Sequence, residues 1–153
     1  MEQIKRKINL IVVHCSATRE DKNYSPKQLE RDHKARGFNS AGYNYYITKD
    51  GVIHPMRPLD VIPAHAKGYN ANSIGVCYEG GIDKNGKAAD TRTEQQKESL
   101  IELLMALVTE FPDAKICGHR DLSPDLNGDG KITSNEWIKM CPCFDAIEEY
   151  KNI

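Results

Sequence analysis

Two histidines and one cysteine carry the chemistry that this chain can do. His14 lies in Val12-Val13-His14-Cys15-Ser16, His119 in Cys117-Gly118-His119-Arg120-Asp121, and Cys141 in Lys139-Met140-Cys141-Pro142-Cys143-Phe144-Asp145. Each histidine stands where an apolar, strand-like run gives way to polar residues. A strand end is a rigid mount from which a side chain can project into a cleft. Two imidazoles and one thiolate suit zinc, and three protein ligands leave the fourth tetrahedral position for water or substrate. That is the ligand count of a catalytic centre; a structural centre closes with four. The histidines are too far apart in sequence for a local finger pattern, and any one of these residues alone is more often a satisfied buried side chain.

The elements that must position these residues follow from pattern. Residues 8–13 are apolar and β-branched, as in a buried central strand. Ser25-Pro26-Lys27-Gln28 opens a helix with a capping box, expected to run to about Arg36 and stop at Gly37, with His33 at its surface or boundary. Residues 43–48 and 52–54 form a hairpin around Asp50-Gly51, with Tyr43, Tyr45 and Ile47 on one face and Asn44 and Tyr46 on the other. Residues 63–70 make a rim loop, and 73–78 a further strand ending at Gly80-Gly81. Thr93-Glu94-Gln95-Gln96 is a second capping box. It opens a helix whose Leu100, Leu103, Leu104, Leu107, Val108 and Phe111 recur with helical period until Pro112. Residues 115–117 form the strand that delivers His119, and a terminal helix covers 144–151. Strands interleaved with helices predict an α/β fold: one domain over residues 1–153 with a mixed central β-sheet flanked by helices.

The 153 residues allow one substantial core. With 39% hydrophobic and 28% charged residues the composition is that of a globular protein, and the formal net charge of −1 supplies no basic field, so no nucleic-acid partner is expected. The charged start, Met1 to Lys7, precedes an apolar run too short for a signal peptide, and no stretch has the apolar length of a membrane span. The expectation is a monomer made in the cytoplasm. Cys15, Cys77 and Cys117 read as small buried hydrophobes, and no disulfide framework is expected.

Six short segments, in order, resemble one family: Val-His14-Cys-Ser-Ala-Thr; Gly42-Tyr43 before an aromatic strand; Ala64-His65-Ala66-Lys67-Gly68-Tyr69-Asn70; Asn72-Ser73-Ile74-Gly75-Val76; Gly118-His119; and Lys139-x-Cys141-Pro142. The pattern, spanning about residues 8–146, is similar to the zinc-dependent N-acetylmuramoyl-L-alanine amidases of the phage-lysozyme type, which share a fold with animal peptidoglycan recognition proteins. The resemblance implies zinc on His14, His119 and Cys141, with Tyr43 and Lys139 as catalytic residues that do not bind the metal. It also implies His65 as a contact to the muramyl peptide, and hydrolysis of the amide between N-acetylmuramic acid and L-alanine in the cell wall, reached by an endolysin-like or other signal-free route. Tyr43 can donate to the oxyanion or orient the attacking water, and Lys139 can serve as a fixed cation. Cys143 could also act as a ligand; Cys141 is preferred because it fits Lys-x-Cys-Pro. Zinc-cysteine-free relatives of this fold bind muropeptides without cutting them, so a recognition module is the alternative. Glu79 is a further cleft candidate.

Between His119 and Lys139 the chain departs from the compact phage-lysozyme pattern. Residues 125–136 match an EF-hand loop, with Asp125, Asn127 and Asp129 as oxygen ligands, Gly130 at the sharp turn, the Lys131 carbonyl and Glu136 completing the set. The expectation is a Ca²⁺-capable insertion that orders the segment carrying Lys139 and Cys141. A plain polar surface insertion is the other reading.

Overall fold

In a computed structural model of the protein, residues 6–124, 126–130, 132, 134, 137 and 140–153 are described. The element order is β1 (Leu10–Cys15), β2 (Thr18–Arg19), α1 (Pro26–Ala35), β3 (Tyr45–Ile47), β4 (Ile53–Pro55), β5 (Ser73–Tyr78), β6 (Gly81–Ile82), α2 (Glu94–Glu110), β7 (Lys115–Gly118) and α3 (Ala146–Glu149), with one-turn 3-10 helices at 70–72 and 119–122. The main sheet runs β4-β3-β5-β1-β7, and β2 pairs with β6 separately. Strands β3, β5, β1 and β7 are parallel, and β4 joins antiparallel as the hairpin partner of β3. This is the expected mixed α/β sheet with helices packed on it.

Alternation along β1 and β5 divides the core. Ile11, Val13 and Cys15 of β1, with Ile74, Val76 and Tyr78 of β5, pack under Leu100, Leu103, Leu104 and Leu107 of α2. The opposite face gathers Leu29 of α1 with Tyr46 and Cys77, and Tyr43 packs against that group. Leu100 and Leu104 are wholly buried, each contributing roughly 1.5–3 kcal/mol of apolar burial. His14, also buried, falls on the α1 face because it alternates with Val13.

Both helix starts follow their caps. Thr93 and Gln96 exchange both bonds of the capping box, and the Gln96 amide reaches on to donate to the Ile47 and Glu79 carbonyls. At α1 only half the expected box forms. Ser25 Oγ accepts from the Gln28 N–H, whereas the Gln28 side chain donates to Asp32, one turn along the helix. His33 is a correction: it is buried, one turn after Leu29 on the inner stripe of α1. The strand expected over 43–48 begins only at Tyr45, so Tyr43 escapes the alternation and packs on the face opposite Tyr45. The terminal helix is a single turn, 146–149 rather than 144–151. The parallel β2–β6 pair has no counterpart in the sequence pattern, because two residues per strand leave no periodic signal.

Arg92, just before α2, ties the C-terminal segment down. Its guanidinium forms ion pairs with Asp90 at 2.8 Å and Glu149 at 2.5 Å, and lies 3.4 Å above the Phe144 ring. At Asp90, burial pushes the carboxyl up, but the Arg92 hydrogen bonds and charge outweigh it and hold it below the usual carboxylate range. At Glu149 the Arg92 hydrogen bond outweighs burial with the same result. Depressed folded-state values mean that the stability these carboxylates contribute is full above the unfolded carboxylate range, near pH 4, and is lost as pH falls through the folded values. Thermal melts of wild type and Arg92→Leu should therefore differ clearly at pH 7, and the gap should narrow progressively as pH falls below about 4. A gap that stays constant to pH 3 would contradict this account.

Candidate metal centre

His14 is the penultimate residue of β1, and His119 follows β7 directly. Because β1 and β7 are adjacent and parallel, both histidines emerge at the same carboxyl end of the sheet, with ring centroids 4.6 Å apart. Cys141 arrives from the C-terminal segment. One ligating atom each from His14, His119 and Cys141 lie within 4.8 Å of one another, and they form the one such group of histidine, cysteine or acidic residues among the described residues. Around a tetrahedral zinc ion, donor atoms stand about 3.4–3.6 Å apart. The donor types, two imidazole nitrogens and a thiol sulfur, fit the ion.

The cysteine turn is held from several sides. The Cys15 N–H donates to Cys141 Sγ at 3.1 Å, and the Arg120 N–H donates to the Cys141 carbonyl at 2.8 Å. The Cys141–Pro142 peptide is cis. Gly118 of β7 lets the proline ring approach, since a Cβ there would stand 2.6 Å from Pro142 Cδ. Cys143, the rival ligand, turns away from the histidines: its Sγ lies 4.0 Å from Cys15 Sγ and 3.4 Å from the Gly81 carbonyl. Burial pushes the Cys77 and Cys117 thiols up, that of Cys117 to about 12, in keeping with inert core cysteines.

His65 joins this centre from the rim loop. Its Nδ1 is 2.7 Å from His14 Nε2, and its Nε2 is 2.8 Å from Ser73 Oγ. The ring lies on β5 where Gly75 has no side chain; a Cβ there would stand 2.8 Å from its Cγ. Burial, then the neighbouring His119 and the arginines, push the His65 pKa down to about 3, so the ring stays neutral and can accept from the His14 N–H.

Tyr43 lines the same cleft, its ring 5.0 Å from that of His14 and 5.4 Å from that of His33. Burial, followed by the nearby cysteines, raises the Tyr43 hydroxyl well above its ordinary value, so it is a hydrogen-bond donor. His33 holds this segment: its Nδ1 accepts the Gly42 N–H at 2.7 Å. The Leu29–His33 spacing of one helical turn was the sequence signal for this inward histidine. Ser73, which fixes His65, left no such signal.

The cleft of about 400 Å³ is lined by His14, His33, Arg36, Tyr43, His65 and His119 with Cys141 at its floor. Glu79 is not part of it. Its carboxylate accepts the Tyr24 and Lys49 N–H groups, at 2.6 and 2.9 Å, and lines a separate hollow. Lys139 lies outside the described residues, as do Asp125, Lys131 and Glu136 of the calcium-like loop. Asn127 and Asp129 are exposed, with the Asp129 N–H donating to Asn127 Oδ1 at 3.1 Å. Among the described residues no helix is long and apolar enough to cross a membrane.

Known proteins share both the sequence and the arrangement. The family model described as N-acetylmuramoyl-L-alanine amidase matches residues 4–133, which include both histidines but not Cys141. The endolysin of Escherichia phage T7 is 37% identical over 135 residues, 88% of this chain and 80% of that protein. The amidase LysC from Clostridium intestinale superposes with a TM-score of 0.71 at 28% identity, over 96% of this chain and 84% of that one. Drosophila PGRP-LB, at 23% identity, shares the fold with a TM-score of 0.70 over 99% of this chain and 84% of its own. On the family match and the phage relative together, the chain belongs to the N-acetylmuramoyl-L-alanine amidase family.

Proposed function

We propose that this protein hydrolyses the amide between the lactyl group of N-acetylmuramic acid and L-alanine of the peptidoglycan stem, with zinc held by His14, His119 and Cys141. The observation that supports this reading most is the convergence of two imidazoles and one thiol at the end of the sheet in a chain of this family. When bound, zinc supplies Lewis acidity to the scissile carbonyl and makes hydroxide accessible near neutral pH.

The chain's own residues do the rest. His65 would orient His14: with His14 Nε2 taken up by His65 Nδ1, 2.7 Å away, His14 Nδ1 would be the nitrogen left to hold the metal. Ser73 completes this relay by fixing the far side of the His65 ring. Because both nitrogens of His65 are committed, its contact with the muramyl peptide is left to the ring carbons. Tyr43 stays protonated and donates a hydrogen bond to the oxygen on which negative charge develops as the carbonyl is attacked. Lys139, two residues before Cys141, is assigned by sequence as the cation beside that oxygen. The wall polymer is the substrate, whether the protein reaches it by endolysin-like release or by another route.

Digestion of purified sacculi, scoring new L-alanine amino termini against new reducing sugar ends, tests the reaction. Alanine termini should appear and should vanish with chelator or in Cys141→Ala. Reducing ends would mean glycosidase chemistry, and retention on sacculi without cleavage would mean a recognition module. Tyr43→Phe should lower kcat by about 10²–10³-fold, as loss of one oxyanion donor does. His65→Ala should weaken zinc affinity by about 10–100-fold; unchanged affinity would remove its orienting role.

We also propose a calcium-binding role for the 125–136 insertion. Gly130 has φ 80°, the positive value that the sharp turn of an EF-hand loop requires. Calorimetric titration of zinc-loaded protein should show calcium heat; none at millimolar calcium would remove the assignment.

A further inference from the structure

We propose that Tyr78 is a positioning residue for Cys141, and that its hydroxyl sets how tightly the centre holds zinc. The inference rests on the reading of Cys141 as a metal ligand. Tyr78 is the last residue of β5 and is wholly buried. It pairs with Cys15 in the β1–β5 ladder, one step after the pairing of His14 with Cys77. Its hydroxyl donates to the carbonyl of Pro142, the residue after Cys141, at 2.6 Å. A strand that bears no ligand therefore reaches across the core and grips the turn that bears one.

Among the described residues the turn has other anchors too, including Cys143 Sγ on the Gly81 carbonyl at 3.4 Å. Main-chain groups and packing contribute as well: the Cys15 and Arg120 N–H groups on Cys141, the Cys143 N–H on the Met140 carbonyl at 2.7 Å, and Gly118 against the proline ring. They fix the height of the turn over β1 and β7. The Tyr78 hydroxyl fixes it over β5, so Cys141 is referred to the same ladder that places His14. Burial raises the Tyr78 hydroxyl above its ordinary value, and the group remains a donor. Without it the Pro142 carbonyl loses its buried donor, and the turn is free to shift towards another one. Metal centres tolerate displacements of only about 0.5 Å, and contacts that orient ligands are worth about 10–100-fold in affinity.

The test compares wild type with Tyr78→Phe, Tyr46→Phe and Cys141→Ser. The zinc dissociation constant is measured by competition with a chromophoric chelator, and the thermal midpoint is measured on metal-free protein. Tyr46 is the control because it is equally buried and its hydroxyl also donates to a backbone carbonyl, that of Tyr24, at 2.7 Å and away from the cysteine turn. Phenylalanine keeps the ring in both variants, so the core stays filled. Tyr78→Phe should weaken zinc binding about tenfold or more, and Tyr46→Phe should leave it within about twofold while lowering the metal-free midpoint comparably. Zinc binding by Tyr78→Phe equal to wild type overturns the proposal, as does equal weakening by Tyr46→Phe, which would mark a general loss of stability. Cys141→Ser separates the two levels of the argument. If it holds zinc like wild type, the ligand reading fails; if it loses zinc while Tyr78→Phe does not, only the positioning role falls.

Discussion

The parallel pairing of β1 with β5 on one side and β7 on the other is the constraint on which the site depends. Every residue of β1 after Leu10 is buried, and the strand separates two unlike environments. A slip of one residue would turn His14 into the leucine stripe of α2 and bring Val13 into the cleft, because side chains alternate with a period of two. The same register places Val13 opposite Gly118, so His119 emerges beside His14 rather than above or below it. The centre thus lies at the carboxyl ends of parallel strands, where open α/β sheets place their ligands. The placement of its two histidines is inherited from the core sheet, onto which the loop carrying His65 and the turn carrying Cys141 are fastened.

Around that mount the chain keeps the groups nearest the centre neutral. His65 is held uncharged by burial and by cationic neighbours, and Tyr43 keeps its proton for the same desolvation reason. A neutral imidazole next to His14 and a neutral phenol in the same cleft add no charge of their own to the centre. The concentrated charge of the C-terminal region sits elsewhere, where Arg92 is compensated by Asp90 and Glu149 and covered by Phe144. That cluster is structural. It closes the chain onto the sheet a few residues after Cys141, so the turn is braced on its C-terminal side.

Much of this was legible in the sequence because it was local. His14 and His119 could be placed at strand ends from the apolar runs before them, and α2 from its leucine stripe and its Thr93–Gln96 box. What could not be read depended on partners distant in the chain. Strand alternation put Tyr43 with Tyr45, but the strand begins after Tyr43, and the backbone there is held by His33 from α1. Glu79, readable from sequence as a cleft candidate or a strand-end acid, instead accepts two backbone N–H groups from distant segments, those of Tyr24 and Lys49. The choice between Cys141 and Cys143 rests on a family pattern; in the structure Cys143 Sγ lies beside Cys15 Sγ and the Gly81 carbonyl.

The two margins of the main sheet are short. On one side β4 has three residues and ends at Pro55, which has no N–H to offer a neighbour; on the other, β7 has four and begins with the exposed Lys115. Such margins are poor templates for another strand, since few unpaired main-chain groups line up and a lysine charge interrupts them. With these margins the sheet itself discourages strand-to-strand association between copies of the chain, and the fold protects against that route to aggregation.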